Sequence, residues 1–176
     1  MYKERLKKYA YIYLIIIVIL AVFSFLLFEE ISSLNGVYSF KQTYVNVSGL
    51  CSQNKSTMIF FYGNNCPSCS LEYAAFRNAT SEFIGVWNGD SFLSPYFCAY
   101  DFNITAYNQN QSSIFAPVGA ANIFESLSSG RIPFLFLGGL YTQYYKIGGF
   151  QDYTTAYQQI MNYICLSIKN VAPVCR

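Results

Sequence analysis

Cys66-Pro67-Ser68-Cys69 is the segment of this chain best suited to chemistry. Two thiols separated by two residues can open and close a disulfide, and their placement matters as much as their spacing. Met58-Ile59-Phe60-Phe61-Tyr62 is a continuous apolar run that suits a strand buried on both faces, and Gly63 ends it. Asn64-Asn65 leads into the motif. A helical pattern follows, with Leu71, Ala75, Ala79 and Phe83 on one stripe, Phe76 beside it and Gly85 as a stop. Cys66 would stand at or just before the first helical turn, where unpaired N–H groups and the helix dipole favour a thiolate. Thiols in such motifs have pKa values of about 3.5–7, against about 8.5 for a free cysteine. Cys69, one turn later, is placed to attack a mixed disulfide at Cys66. Pro67 fits the first helical position, since its missing N–H would be unpaired anyway. Cys66 is thus the expected nucleophile and Cys69 the resolving thiol, with Pro67 and Ser68 completing the motif.

Three other uses of the pair stay open: a structural disulfide, a metal site, or a binding domain without exchange. Zinc usually takes two such pairs or added histidines, and this chain has no histidine. No metal and no cofactor is expected. The lack of histidine also removes Ser-His-Asp triads and His-assisted cysteine hydrolases. Net charge is +2, but four of the eleven basic residues are Lys3, Arg5, Lys7 and Lys8. From Glu29 onward there are seven basic and eight acidic residues, so no basic face invites nucleic acid.

The elements that must hold the motif follow from the rest of the pattern. Residues 29–54 read as a linker with one weak strand around Val37–Phe40 or Tyr44–Val47. Tyr96–Tyr100 is a second strand ending at Asp101. A helix starting at Pro117 runs through Ile123, Phe124 and Leu127 to Gly130. Ile132–Leu137 is a third strand, Gly138-Gly139 a two-residue turn with positive φ, and Leu140–Ile147 the returning strand. A last helix carries Tyr153, Ala156, Tyr157, Ile160, Ile164 and Ile168 on one face, with Asp152 in its first turn, favourable for the helix dipole. This order predicts an α/β domain over residues 55–176, with a mixed central sheet flanked by helices.

Ala10–Phe28 is a run of nineteen residues without a charge. As a helix it would rise about 28 Å, close to the hydrocarbon thickness of a bilayer. Basic residues precede it and Glu29-Glu30 follow. Residues 1–9 are therefore expected in the cytoplasm, 10–28 as a single-pass signal anchor in the lipid bilayer, and the rest outside the cytoplasm. A cleaved signal peptide is the rival, but its apolar core is shorter and ends at a small-residue site. Asn-x-Ser/Thr sequons at Asn46, Asn54, Asn78, Asn103 and Asn110 agree with export.

Cys51, Cys98, Cys165 and Cys175 remain. Four cysteines in an exported chain read as two structural disulfides with three possible pairings. Cys51 with Cys98 and Cys165 with Cys175 is the first expectation; a buried free thiol at Cys98 is the alternative.

Phe60-Phe61-Tyr62-Gly63-Asn64-Asn65-Cys66-Pro67-Ser68-Cys69 resembles the active-site segment of thioredoxin-like proteins. Ile132-Pro133 resembles the family's cis-proline loop, and Gly148-Gly149-Phe150 before the last helix resembles its C-terminal end. The likeness spans about residues 55–170. It implies a thioredoxin-like fold, a cis Pro133 facing Cys66, and an Ile132 backbone that pairs with substrate by strand addition. It also implies protein dithiol–disulfide exchange, with exported proteins as substrates and a membrane redox partner. Persisting structural disulfides favour an oxidase or isomerase over a membrane-tethered reductase; a non-catalytic binding or metal-delivery module is the remaining alternative. Many family members place a buried carboxylate six residues before the first cysteine. Here that position is Phe60, and no replacement stands out from the sequence.

Overall fold

The computed structural model describes residues 16–24, 39–47, 49–52, 55–107 and 119–176. The chain divides into two compact units, Met1–Val37 and Tyr38–Arg176. In the first, residues 16–24 form a helix, α1, with exposed apolar side chains such as Ile17 and Phe23. Among the described residues no helix is long and apolar enough to cross a membrane. The rest of the expected anchor, residues 10–15 and 25–28, lies outside the described residues.

The second unit is a mixed α/β domain built on one seven-stranded sheet. In chain order its elements are β1 (Lys41–Thr43), β2 (Ser56–Tyr62), α2 (Pro67–Ser81), β3 (Val86–Asn88), β4 (Ser91–Leu93), β5 (Phe97–Asn103) and α3 (Ile104–Tyr107). They continue with α4 (Ala120–Ser128), β6 (Phe134–Gly138), β7 (Gln143–Ile147), α5 (Tyr153–Ser167) and a final 3-10 turn, Pro173–Cys175. The strand order is β1-β7-β6-β2-β5-β4-β3. β2 lies at the centre, parallel to β5 and antiparallel to β6.

Alternation along β2 divides the core. Met58 and Phe60 face one layer with Ala75, Phe76 and Ala79 of α2, Ala156, Ile160 and Ile164 of α5, and Leu135 and Leu137 of β6. Ile59 and Phe61 face the other with Phe102, Phe134, Phe136, and Ala120 and Ile123 of α4. All four β2 residues are fully buried, so the apolar run has the two-sided burial expected of it. The rings interlock: Phe60 lies 5.7 Å from Phe76, and Phe61 stacks on Phe124 at 4.6 Å.

Several boundaries differ from the sequence expectation. β5 runs past Asp101 to Asn103, and β6 starts at Phe134 rather than Ile132. β1 falls between the two segments proposed for it. α4 begins at Ala120, and Pro117 lies outside the described residues. The link between β6 and β7 is longer than two residues, because β7 begins at Gln143 and Gly139 N–H donates to Thr142 O. Neither Gly138 nor Gly139 has positive φ. A Cβ on Gly139 would stand 2.1 Å from the Ser167 carbonyl oxygen, so close approach of α5 requires that glycine. The β3–β4 hairpin was not foreseen. Its two-residue loop, Gly89-Asp90, puts Gly89 at φ 60°, open to glycine without steric cost.

The four remaining cysteines form Cys51–Cys98 and Cys165–Cys175, as first expected, and Cys98 is not a free thiol. Phe60→Ala should lower unfolding free energy by about 3–5 kcal/mol, the usual cost of removing a fully buried aromatic ring. Urea denaturation of the full chain checks this; a loss below about 1 kcal/mol would contradict the central place of β2.

Candidate active site

Gly63 ends β2 where the chain must turn in tight quarters. A Cβ there would stand 2.8 Å from Ile132 Cδ1 and 3.0 Å from Thr105 Oγ1. The following loop is held from the end of β5. Asn64 N–H donates to Thr105 Oγ1 at 3.1 Å, Asn103 Nδ2 donates to Asn64 Oδ1 at 2.5 Å, and Thr105 N–H donates to Asn103 Oδ1 at 3.0 Å. These bonds fix the approach to Cys66.

Cys66 is the N-cap of α2, with extended backbone at φ −121°, and Pro67 takes the first helical position. No side chain caps this helix end. Cys66 and Cys69 form a disulfide with Cα atoms 5.2 Å apart. The two sulfurs differ in access: Cys69 is 2% exposed, whereas Cys66 is half-buried and Pro67 and Ser68 are exposed. An incoming thiolate therefore meets Cys66 first. Opening the bond leaves the Cys66 sulfur at the helix N-terminus, where the dipole stabilises negative charge. Ser68 Oγ lies 3.7 Å from Cys66 Sγ, within sulfur hydrogen-bond range.

Ile132 and Pro133 reach the same end of the sheet. Their peptide bond is cis. The β2–β6 ladder stops at Phe61 and Phe134, so Ile132 lies beyond the last paired residue. Pro133 O accepts from Gly148 N–H at 2.9 Å, and a Cβ on Gly149 would stand 2.5 Å from Ser68 Cβ. The β7–α5 loop thus packs against the helix start and ties the Ile132-Pro133 loop to it. Cys66, Pro67, Ser68, Cys69, Ile132 and Pro133 are gathered at one end. Cys51, Cys98, Cys165 and Cys175 are not among them. Cys98 pairs in register with Thr57 near the start of β2, and Ser56 Oγ donates to Ser167 O at the far end of α5.

Three buried charged residues escaped the sequence reading. Asp101 is fully buried, opposite Phe60 in the β2–β5 ladder, and its Oδ2 accepts from Arg77 Nε at 2.7 Å. Arg77 also donates to Gly89 O at 2.8 Å and lies 4.1 Å over the Trp87 ring, tying α2 to the β3–β4 hairpin. Burial raises the Asp101 pKa to about 6, against the opposing pull of Arg77. Glu72, three residues past Cys69, is fully buried, and neither carboxylate oxygen has a hydrogen-bond partner. Burial raises its pKa to about 8, while the charge of Lys146 pulls the other way. Lys146, 1% exposed on β7, is pushed down by burial and up by Glu72. Its ammonium also donates to Gly148 O and lies 4.0 Å over the Phe150 ring. One signal for Glu72 was present: it is three residues before Ala75 and four before Phe76, on the apolar stripe.

Folded Asp101 holds its proton more tightly than the unfolded chain does, so its stabilising share is present below about pH 4 and is lost as pH rises through about 6. The thermal midpoint of wild type should therefore fall between pH 4 and 6.5 relative to Asp101→Asn. Calorimetry across that range checks it, and parallel curves would contradict it. Comparison of the chain with family models, with curated proteins and with solved structures finds no match.

Proposed function

We propose that this protein exchanges thiols and disulfides with other proteins, through a thioredoxin-like domain whose redox pair is Cys66 and Cys69. The observation that carries the proposal is the unequal access of two bonded sulfurs at an uncapped helix N-terminus. Further support comes from the strand–turn–helix unit that presents them and from the Ile132-Pro133 loop beside them.

The exchange balances in two steps. A substrate thiolate attacks Cys66 Sγ, a mixed disulfide forms, the Cys66–Cys69 bond breaks, and Cys69 leaves as a thiolate that takes up a proton. A second substrate thiolate then attacks its own mixed-disulfide sulfur and Cys66 leaves as a thiolate. The substrate dithiol is oxidised by two electrons and the Cys66–Cys69 pair is reduced by two. Run backwards, the same steps reduce a substrate disulfide. In our account the oxidase or isomerase direction is favoured, because the chain itself carries two further disulfides, which persist in oxidising surroundings. The uncharged run Ala10–Phe28 supports an extracytoplasmic domain tethered to a bilayer, with exported proteins as substrates and a membrane redox partner. The unpaired edge beyond Phe134 gives Ile132 the place at which a substrate strand would add.

Full-length protein in detergent, given a reduced dithiol protein, tests this. Cys66→Ser should abolish exchange, and Cys69→Ser, given a disulfide-bonded protein instead, should accumulate covalent adducts visible without reductant. Undiminished exchange by Cys66→Ser would overturn the proposal in favour of a non-catalytic module.

A further inference from the structure

Cys69 faces inward, so a proton it gains or loses during exchange has no direct path to bulk water. Glu72 is on the same helix, three residues on. Residues so spaced are neighbours on a helix surface, with Cβ atoms about 5–6 Å apart. Helical side chains tilt towards the N-terminus, so Glu72 leans over the turn that contains Cys69. Both residues belong to the buried side of α2. Lys146 approaches from β7, two residues before the Gly148-Gly149 pair, of which Gly149 packs on Ser68. A carboxylate fully buried in an apolar layer is costly to keep, and no hydrogen bond offsets that cost at Glu72.

We propose that Glu72 is the proton carrier for Cys69, with Lys146 as the residue that positions and tunes it. The inference rests on the exchange chemistry proposed above. In the closing direction, the Cys69 thiol gives its proton to the Glu72 carboxylate. Cys69 thiolate then attacks Cys66 Sγ in the mixed disulfide, the Cys66–Cys69 bond forms, and the substrate sulfur leaves as a thiolate. In the opening direction, Glu72 returns the proton to the departing Cys69. The carboxylate thus comes from α2 itself, whereas the strand position at Phe60 is apolar.

The surroundings of Glu72 limit the groups that can substitute for it. The layer that α2 covers is apolar, with Met58 and Phe60 of β2, Leu135 of β6, and Ala156 and Ile160 of α5. Tyr62 is turned to Tyr73, with ring centroids 5.0 Å apart, and Asp152 is occupied at the α5 cap by Thr155 N–H. Asp101, the other buried carboxylate, is bound to Arg77, eight residues beyond Cys69 along α2. Among the described residues the charge that bears on Glu72 is that of Lys146, and Cys69 is on the same buried side of α2, three residues before it.

The test is the single-turnover release of glutathione from the Cys66 mixed disulfide, formed by mixing reduced full-length protein with oxidised glutathione at pH 5–9. Wild type should release it at a rate that rises through an inflection near pH 8, where burial places the Glu72 proton. Glu72→Gln should slow release at pH 7 by about 100-fold, a usual share for general acid–base catalysis, and lose the inflection. Lys146→Met should move the inflection to higher pH, and Asp101→Asn should leave the profile unchanged. If Glu72→Gln does not fold alone, the Glu72→Gln/Lys146→Met double variant, with both buried charges removed, carries the same comparison. A Glu72→Gln profile that keeps the inflection, or an Asp101→Asn profile that loses it, overturns the proton-carrier role and leaves exchange standing. Wild type that releases no glutathione at any pH overturns exchange itself.

Discussion

The burial of β2 on both faces is the constraint from which the rest of this domain follows. A strand with no wet side needs a covering layer above and below and a neighbour on each edge. Met58 and Phe60 are covered by α2 and α5, Ile59 and Phe61 by α4, and β5 and β6 flank the strand. The parallel strands β2 and β5 lead to helices on opposite faces of the sheet, α2 and α4, so the carboxyl ends of these two strands form a switch point. Open α/β sheets carry their ligand sites at such points. Cys66 stands there because the turn after β2 is short and Gly63 lets it pass close to Ile132 and Thr105.

Charge at that end is handled in two ways. Asp101 receives a direct ion pair from Arg77, whose guanidinium also holds the hairpin and lies over Trp87. That carboxylate is spent on structure. Glu72 and Lys146 are set differently: their charges oppose each other's burial, yet no hydrogen bond reaches the carboxylate. Replacing opposed buried charges with apolar groups is often neutral or stabilising, so stability alone does not explain this arrangement. The proposed proton exchange with Cys69 would.

Legibility in the sequence tracked how local each signal was. The run Met58–Tyr62, the buried positions Ala75, Phe76 and Ala79 of α2 and the placing of Cys66 and Pro67 depend on near neighbours and were read correctly, whereas α2 ends at Ser81, before Phe83 and the expected stop at Gly85. Asp152, expected in the first turn of α5, instead stands just before it as the N-cap and accepts from Thr155 N–H. The β3–β4 hairpin was legible but missed: Gly89-Asp90 between Trp87 and Phe92 is a two-residue turn signal on strands of only three residues. Gly139 was read for turn conformation, whereas its cause is a backbone contact with Ser167, distant in sequence. Burial of Lys146 and Asp101 depends on packing across the sheet, which periodicity does not encode. The two structural disulfides were matters of pairing choice, decided by which strands and helix ends lie together.

In the proposed exchange, one of the three disulfides works while two hold structure. Equilibrating the full-length protein in graded thiol–disulfide buffers and counting reduced cysteines by mass measures this directly. The account predicts that Cys66–Cys69 alone opens and recloses, at a potential between about −120 and −270 mV, while Cys51–Cys98 and Cys165–Cys175 stay closed until below about −300 mV. Three bonds that open together, or a Cys66–Cys69 bond as resistant as the others, would contradict it.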